Sequence, residues 1–323
     1  MVFDEALYAM LKRYFESRSF PVTNAIREQC YLPDSATILS NKMGSAPGML
    51  FVKNNLHILS LPGVPYEMKW IFENSFKPYL DKINDQQHHF RHVTIRTVGM
   101  GETRIEESIK DIIEDFPDKL SIAYLPSLGQ VRLRLTLKTT TENGKLLNEF
   151  KTRIAERLGP LVYGYGDITL EKTIQNIFLD KKLTLSTAES CTGGYIAHKI
   201  TAIPESSGYY HGTIVAYDNR IKKSVLSVSE ETLSTHGAVS EQTVIEMLRG
   251  LFEVMNTDLG VAVSGIAGPG GGSPEKPVGT IWIAWGTRDD INTEKLLLSK
   301  NRAKNIAYTS TAALNRLRLF LTH

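Results

Sequence analysis

At 323 residues the chain is long enough to bury two or three separate cores. Its 42% hydrophobic and 22% charged composition is that of a globular protein in water, and no apolar run reaches the length of a membrane span. A net charge of +2 lacks the basic excess of a dedicated nucleic-acid binder, and two distant cysteines, Cys30 and Cys191, form neither a disulfide framework nor a metal-ligand spacing.

The first residues, M-V-F-D-E-A-L-Y, carry acid where a signal peptide carries base, and with the sparse cysteines they predict a cytoplasmic protein. Residues 3–19 place Phe3, Leu7, Met10, Leu11, Tyr14 and Phe15 at helical spacing. No strand is read before this helix, which suggests that the chain begins part-way through an α/β domain. Residues 49–52 and 56–61 read as a hairpin turning at Asn54-Asn55. The second strand runs into L-P-G-V-P-Y-E-M at 61–68, where Pro65 and Glu67 open a helix over 66–76. The S-N-K-M-G-S-A-P-G stretch at 40–48 and this second loop are both glycine-bearing. Such loops at strand ends suit a ligand-facing edge, and equally suit ordinary turns. Residues 81–92 are polar and read as a linker. Within them His88, His89 and His92 lack a carboxylate or cysteine placed to complete a metal site.

Residues 93–163 follow the order β-α-β-β-α. Strands are expected at 93–98, 121–125 and 131–137, and helices at 105–114 and 146–158, which implies a small α+β sandwich. The G-M-G-E loop at Gly99 has the spacing of a nucleic-acid-binding GxxG loop but lacks flanking basic residues, which favours a structural spacer. Residues 161–167 mark a boundary, and 169–180 read as a helix.

Residues 183–188 have the character of a buried strand, followed by Ser190, Cys191, Thr192, Gly193 and Gly194 and then a helical run over 195–200. This order points backbone N–H groups at a helix start. Ser190 there can cap the helix, bind a phosphate, or act as a nucleophile beside an oxyanion site. The next strand, 209–217, ends at Tyr217, with Asp218-Asn219 opening a helix that carries Lys222. Ser240 reads as the N-cap of a helix over 241–255. A strand over 259–263 leads into the richest glycine loop, 264–272, containing Ser264, Gly265, Gly268 and Gly270. It lacks the Gly-Lys-Ser/Thr of a P-loop. Strands at 277–285 and 296–298, then Arg302 and a helix over 306–321, complete the chain.

If these loops converge, they assemble a hydroxyl, a lysine, a tyrosine and an anion cradle. A desolvated lysine can act as base toward a serine, while Arg302 and backbone N–H groups hold a phosphate or carboxylate. Alternatives stay open at this point. Cys191 is an adjacent nucleophile, His198, His211 or His236 can be placed in a triad, and Lys222-Lys223 also fits a solvated helix face.

The motifs A-E-S-C-T-G-G at 188–194, V-A-Y-D-N-R-I-K ending at Lys222, and S-G-I-A-G-P-G-G at 264–271 with K-P-V-G-T at 276–280 resemble the C-terminal domain of the competence/damage-inducible CinA family. That is its nicotinamide-mononucleotide deamidase domain. The resemblance covers 167–323. It extends through a KH-like α+β domain at 83–165 to a partial molybdopterin-binding-like α/β domain at 1–82, marked by the two glycine-bearing loops. It implies a three-layer α/β C-terminal domain and hydrolysis of the carboxamide by a serine–lysine mechanism. Ser190 is then the nucleophile, Lys222 the general base and Tyr217 their catalytic companion. Thr192, Gly193, Gly194, Asn219, Ser264, Gly265, Gly268, Gly270 and Arg302 would bind the nucleotide. Ser264 stands where the family commonly has threonine, which keeps the hydroxyl. No cofactor or metal is implied for deamidation; a divalent metal enters only if a pyrophosphatase activity survives in the N-terminal domain. That domain's first strands and glycine-rich loop are not found before Phe3, which makes the activity doubtful and predicts exposed apolar surface and a homodimer. A small-molecule nucleotide is the expected partner, without membrane or nucleic acid. Non-catalytic nucleotide binding is the alternative.

Overall fold

The computed structural model describes residues 1–83, 89–139 and 144–322. The chain divides into two units, Met1–Gln87 and His88–His323.

In the first unit a two-residue strand β1 (Val2–Phe3) precedes α1 (Glu5–Glu16). It pairs antiparallel with β2 (Tyr31–Leu32), correcting the expectation of a helix with no strand before it. A pair this short leaves no period-2 pattern to read. Asp4 caps α1 by accepting from the Leu7 N–H at 2.8 Å, and Leu7 and Leu11 pack on Ile26 of α2 (Asn24–Glu28). Strands β3 (Ala36–Leu39), β4 (Gly48–Lys53) and β5 (Leu56–Ser60) form an antiparallel sheet, with Asn54 in the left-handed region at φ 55° in the predicted turn. Asn41 ties the two glycine-bearing loops together. Its Nδ2 donates to Glu67 Oε2 at 2.6 Å, and its Oδ1 accepts from the N–H groups of Met43 and Gly44. Helix α3 (Pro65–Ile71) continues through a π-type turn into α4 (Lys77–Ile83), past its predicted end. Of the expected linker at 81–92, residues 81–83 are helix and 89–92 strand, and 84–88 lie outside the described residues. His88 lies outside the described residues, and His92 is an exposed strand residue opposite Thr136.

The second unit begins with the β-α-β-β-α order anticipated from the pattern. Strands β6 (His89–Val98), β7 (Leu120–Ser127) and β8 (Gln130–Thr139) pair antiparallel. Helices α5 (Glu102–Glu114) and α6 (Lys145–Leu158) bury Ile105, Ile109, Phe150 and Ile154 against Ile95, Leu133 and Leu135 of the sheet. Within the predicted boundary at 161–167 the chain forms a fourth strand, β9 (Val162–Tyr165), paired with β6. Its short Val-Tyr-Gly-Tyr sequence becomes strand through pairing to a neighbour distant in sequence.

The remainder is a three-layer α/β domain. Its sheet runs β11 (Tyr210–Val215), β10 (Leu185–Glu189), β12 (Leu259–Gly265), β13 (Thr280–Gly286), β14 (Ile291–Leu297). The first three strands are parallel and the last two antiparallel. One face carries α7 (Leu170–Lys181), α8 (Tyr195–Thr201) and α12 (Arg302–Thr322) over a core that includes Phe178, Val261, Ile281 and Leu314. Val98 and Tyr163 of the middle sheet join the same core. The other face carries α11 (Glu241–Met255), with Met247, Leu251 and Phe252 packed on Ala188, Ala262 and Ala284. Ser240 caps α11 as expected, accepting from the Thr243 N–H at 3.2 Å. Helices α9 (Asn219–Ser224) and α10 (Glu230–Thr235) connect β11 to α11. Among the described residues no helix is long and apolar enough to cross a membrane.

Gly250 of α11 lies directly on the backbone of Leu226, where an added Cβ would run into the carbonyl and sit 2.8 Å from the Leu226 Cα. Gly250→Ala gains about 1 kcal/mol of helix propensity and loses about 3 kcal/mol to overpacking, because backbone cannot step aside like a side chain. The expected result is a net loss of about 2 kcal/mol, read as a lower urea midpoint at unchanged slope. A midpoint at or above wild type would refute this account of the α11 contact.

Candidate active site

The carboxyl ends of β10, β11 and β12 bring the three motif loops to one edge of the sheet, where α/β folds bind ligands. Backbone bonds set their relative height: the Ser190 N–H donates to Val263 O at 2.9 Å, and the Ala216 N–H to Glu189 O at 2.8 Å. Asp218 caps α9 through the Arg220 N–H, and one turn later Lys222 points inward. Lys222 is 1% exposed and Ser190 8%. The Lys222 Nζ lies 3.1 Å from Ser190 Oγ, 2.8 Å from Ala216 O and 3.3 Å from Tyr217 O. Of the Lys222-Lys223 pair, only Lys223 faces solvent, where it meets Glu230. Burial pushes the Lys222 amine below the ordinary lysine value of 10.5, against the opposing pull of Cys191 and Asp218.

The loop after Ser190 differs from the sequence expectation. Ser190 does not cap α8, which starts five residues later behind Gly194. The carboxylate of Glu189 takes the N–H groups of Gly194 and Ile196 on Oε2 at 3.0 and 3.1 Å, and that of Ala197 on Oε1 at 2.9 Å. The N–H of Gly193 donates to Ser190 O and that of Tyr195 to Thr192 O. The helix start is thus occupied by the protein's own anion, and Gly193 and Gly194 do not offer free donors to a ligand. What they supply is backbone freedom, with φ at 61° and 95°. Among the described residues the N–H groups of Cys191 and Thr192 donate to no backbone carbonyl and to no other residue's side chain, and the buried Thr192 hydroxyl has no partner.

In the third loop, Ser264 and Gly265 belong to β12 itself. The Ser264 hydroxyl is buried and donates to Ala238 O at 2.6 Å. Gly265 is required by packing, since a Cβ there would sit 2.8 Å from the Ile281 Cα across the β12–β13 pair. Gly268 has φ 91°, and its carbonyl accepts from Arg302 Nη1 at 2.9 Å. Gly270 is exposed with open space around it. Arg302 is the first residue of α12, and its Nη2 donates to the Tyr217 hydroxyl at 3.1 Å. Tyr217 is 61% exposed, so it meets Lys222 through its carbonyl while its ring and hydroxyl reach Arg302. Asn219 is exposed at the first position of α9.

The competing residues lie elsewhere. Burial holds the Cys191 thiol up at about 12, which leaves it without thiolate near neutrality. His198 stacks on Tyr195, and among the described residues no histidine is hydrogen-bonded to Ser190. Among those residues no group of three or more His, Cys, Asp and Glu could hold a metal ion. Glu189, which the motif contains but sequence reasoning left without a role, is the structural centre of the first loop. A carboxylate closing a wholly buried strand just before a loop of small residues is the signal that could have found it.

Lys222 gives a pH signature independent of any substrate. Its lowered folded-state value means that the unfolded chain binds more protons between that value and 10.5. Stability attributable to Lys222 is therefore fully present above 10.5 and lost as pH falls through the folded-state value. Urea unfolding of wild type and Lys222→Met should diverge in favour of wild type as pH rises from 7 toward 10. A pH-independent difference would contradict the buried, depressed amine.

Comparison with known proteins places these loops in a family. Residues 167–321 match the CinA C-terminal domain, and residues 92–164 match the Damage-inducible protein CinA KH domain. A CinA-like protein of Cytophaga hutchinsonii is 41% identical over 98% of this chain and 76% of its own length. Another from Salinibacter ruber is 36% identical over 99% of this chain and 78% of its own length. A crystal structure of the competence/damage inducible protein CihA from Agrobacterium tumefaciens aligns at 40% identity and a TM-score of 0.46, over 48% of this chain and 94% of that one. On the identity and coverage of its relatives, this chain belongs to the CinA family.

Proposed function

We propose that this chain hydrolyses the carboxamide of nicotinamide mononucleotide to nicotinate mononucleotide and ammonia, with Ser190 as nucleophile and Lys222 as general base. The observation that carries the reading is the buried lysine amine 3.1 Å from a serine hydroxyl. A protein that only binds a nucleotide has no need of that pair. Family membership and the resemblance of the three loop motifs to the deamidase domain support the choice of substrate.

A neutral amine has two N–H donors and one lone pair. Donation to the Ala216 and Tyr217 carbonyls uses both donors and leaves the lone pair for the Ser190 proton. In the proposed reaction Oγ attacks the carboxamide carbon as Nζ takes its proton, and the Cys191 and Thr192 N–H groups receive the oxyanion. Collapse breaks the C–N bond, and Lys222 returns the proton to the departing nitrogen, which leaves as ammonia. Water, activated by the same amine, then hydrolyses the Ser190 ester to release the carboxylate and restore the hydroxyl. Arg302, held by Gly268 and Tyr217, is the group for the phosphate of the mononucleotide, and Gly270, in the same loop as Gly268, has open space around its backbone. Asn219 completes the mouth, while Thr192 and Ser264 serve from within it. The reaction so written takes no cofactor and no metal.

Ammonia release and nicotinate-mononucleotide formation, followed with a chelator present, test this directly. Wild type should turn over, and Ser190→Ala and Lys222→Ala should each lose at least about a thousandfold in kcat. Because the base must be neutral, kcat/KM should climb with pH and reach half its plateau below 10.5. A well-folded wild type that binds the mononucleotide without cleaving it would favour the non-catalytic nucleotide-binding reading.

A further inference from the structure

Resting on the deamidase reading, we propose that Glu189 is a positioning residue for that reaction. Its buried carboxylate holds the loop after Ser190 in an arrangement that leaves the Cys191 and Thr192 N–H groups without a backbone acceptor beside the nucleophile.

Glu189 is fully buried at the end of β10, and among the described residues no cation pairs with it. A buried carboxylate without a counter-ion is costly unless hydrogen bonds replace its water. Here they do. Gly194, Ile196 and Ala197 donate N–H groups to it, and the Thr213 hydroxyl approaches Oε1 at 3.5 Å. The donors come from the start of α8, where the helix dipole also favours a negative charge.

A census of N–H groups shows what this arrangement decides. In the stretch from 190 to 197, Ser190, Gly193 and Tyr195 donate to backbone carbonyls. Gly194, Ile196 and Ala197 donate to Glu189. In this stretch only Cys191 and Thr192 have no acceptor on another residue among the described residues, the Cys191 N–H meeting its own thiol alone. Without the carboxylate, the three N–H groups at the helix start would compete for an incoming anion, and the loop would lose its anchor to the sheet. The backbone of the same residue reaches the other half of the site: Glu189 O accepts from the Ala216 N–H, and Ala216 O accepts from Lys222 Nζ. One residue therefore sets both the oxyanion donors and the shelf that holds the base. It touches no reacting atom.

The charge matters as well as the shape. Glutamine has the same size, but its amide must turn an N–H toward one of the backbone donors, so at least one bond is lost and the loop shifts. Misplaced donors weaken the transition state more than the bound substrate, so the loss falls on kcat.

The test compares the full chain with its Glu189→Gln variant for kcat, KM for nicotinamide mononucleotide, pH profile and thermal midpoint. The expected result is a kcat lower by about 10- to 100-fold, with KM within about threefold and the pH midpoint unmoved because Lys222 is untouched. A role confined to folding would reduce the folded fraction only, so a kcat per folded molecule within about twofold of wild type overturns the proposal. If the variant does not fold, amide hydrogen exchange on the wild type decides. Gly194, Ile196 and Ala197 should be more strongly protected than Cys191 and Thr192. Equal exchange at all five amides overturns the proposal. Absence of turnover in the wild type sinks the deamidase reading instead, and the two failures are thus told apart.

Discussion

A lysine amine placed almost wholly out of water, in contact with a serine hydroxyl, is the constraint around which the C-terminal domain is arranged. Burial disfavours its charge, and among the described residues no carboxylate is hydrogen-bonded to it to restore that charge. What holds the amine in place is backbone, the carbonyls of Ala216 and Tyr217 at the end of β11. Those carbonyls are positioned by the parallel pairing of β11 with β10, which also delivers Ser190. Shifting that register by one residue would move every side chain to the opposite face of the sheet, separating the pair. The sheet is in this sense part of the site.

The polar atoms around the pair divide into those the fold has satisfied and those it has left open. Glu189 satisfies the start of α8, Ser264 its contact to Ala238, and Asn305 the carbonyls of Ala267 and Ser299. Left without a partner on another residue, among the described residues, are the N–H groups of Cys191 and Thr192 and the Thr192 hydroxyl. Because buried polar groups are nearly always paired, an unpaired cluster beside a nucleophile is informative. Helix α12 links this edge to the middle domain. It begins at Arg302, beside Gly268 and Tyr217, and near its other end Arg318 donates to Pro160 O. Between those points Asn315 faces Gly99, so the glycine loop of the KH-like domain lies against α12.

Much of the architecture was legible because it is written in local patterns. The helices at 146–158 and 241–255, the Ser240 cap, the Asn54 turn and the order of the middle domain all follow from periodicity and turn chemistry within a few residues. The elements not read from the sequence share a cause. β1, β9 and the extension of helix through Ile83 depend on pairing or packing with residues far away in sequence, which leaves no periodic trace. The short helices α2 and α10 are of the same kind.

For the site, the sequence by itself determined the cast and the family: a serine, a lysine, a tyrosine, an arginine and three loops of small residues following strands. The glycines could be counted there but not interpreted. Gly193 and Gly194 turn out to serve conformation, Gly265 close packing, and Gly270 open space, distinctions that rest on neighbours in three dimensions. Only the tertiary structure decided that Lys222 is buried beside Ser190, that Cys191 is inert, and that Glu189 fills the helix start meant for a ligand. The physical reason is that desolvation and hydrogen-bond satisfaction are properties of what surrounds a group. A linear sequence specifies each group, and the fold supplies its surroundings.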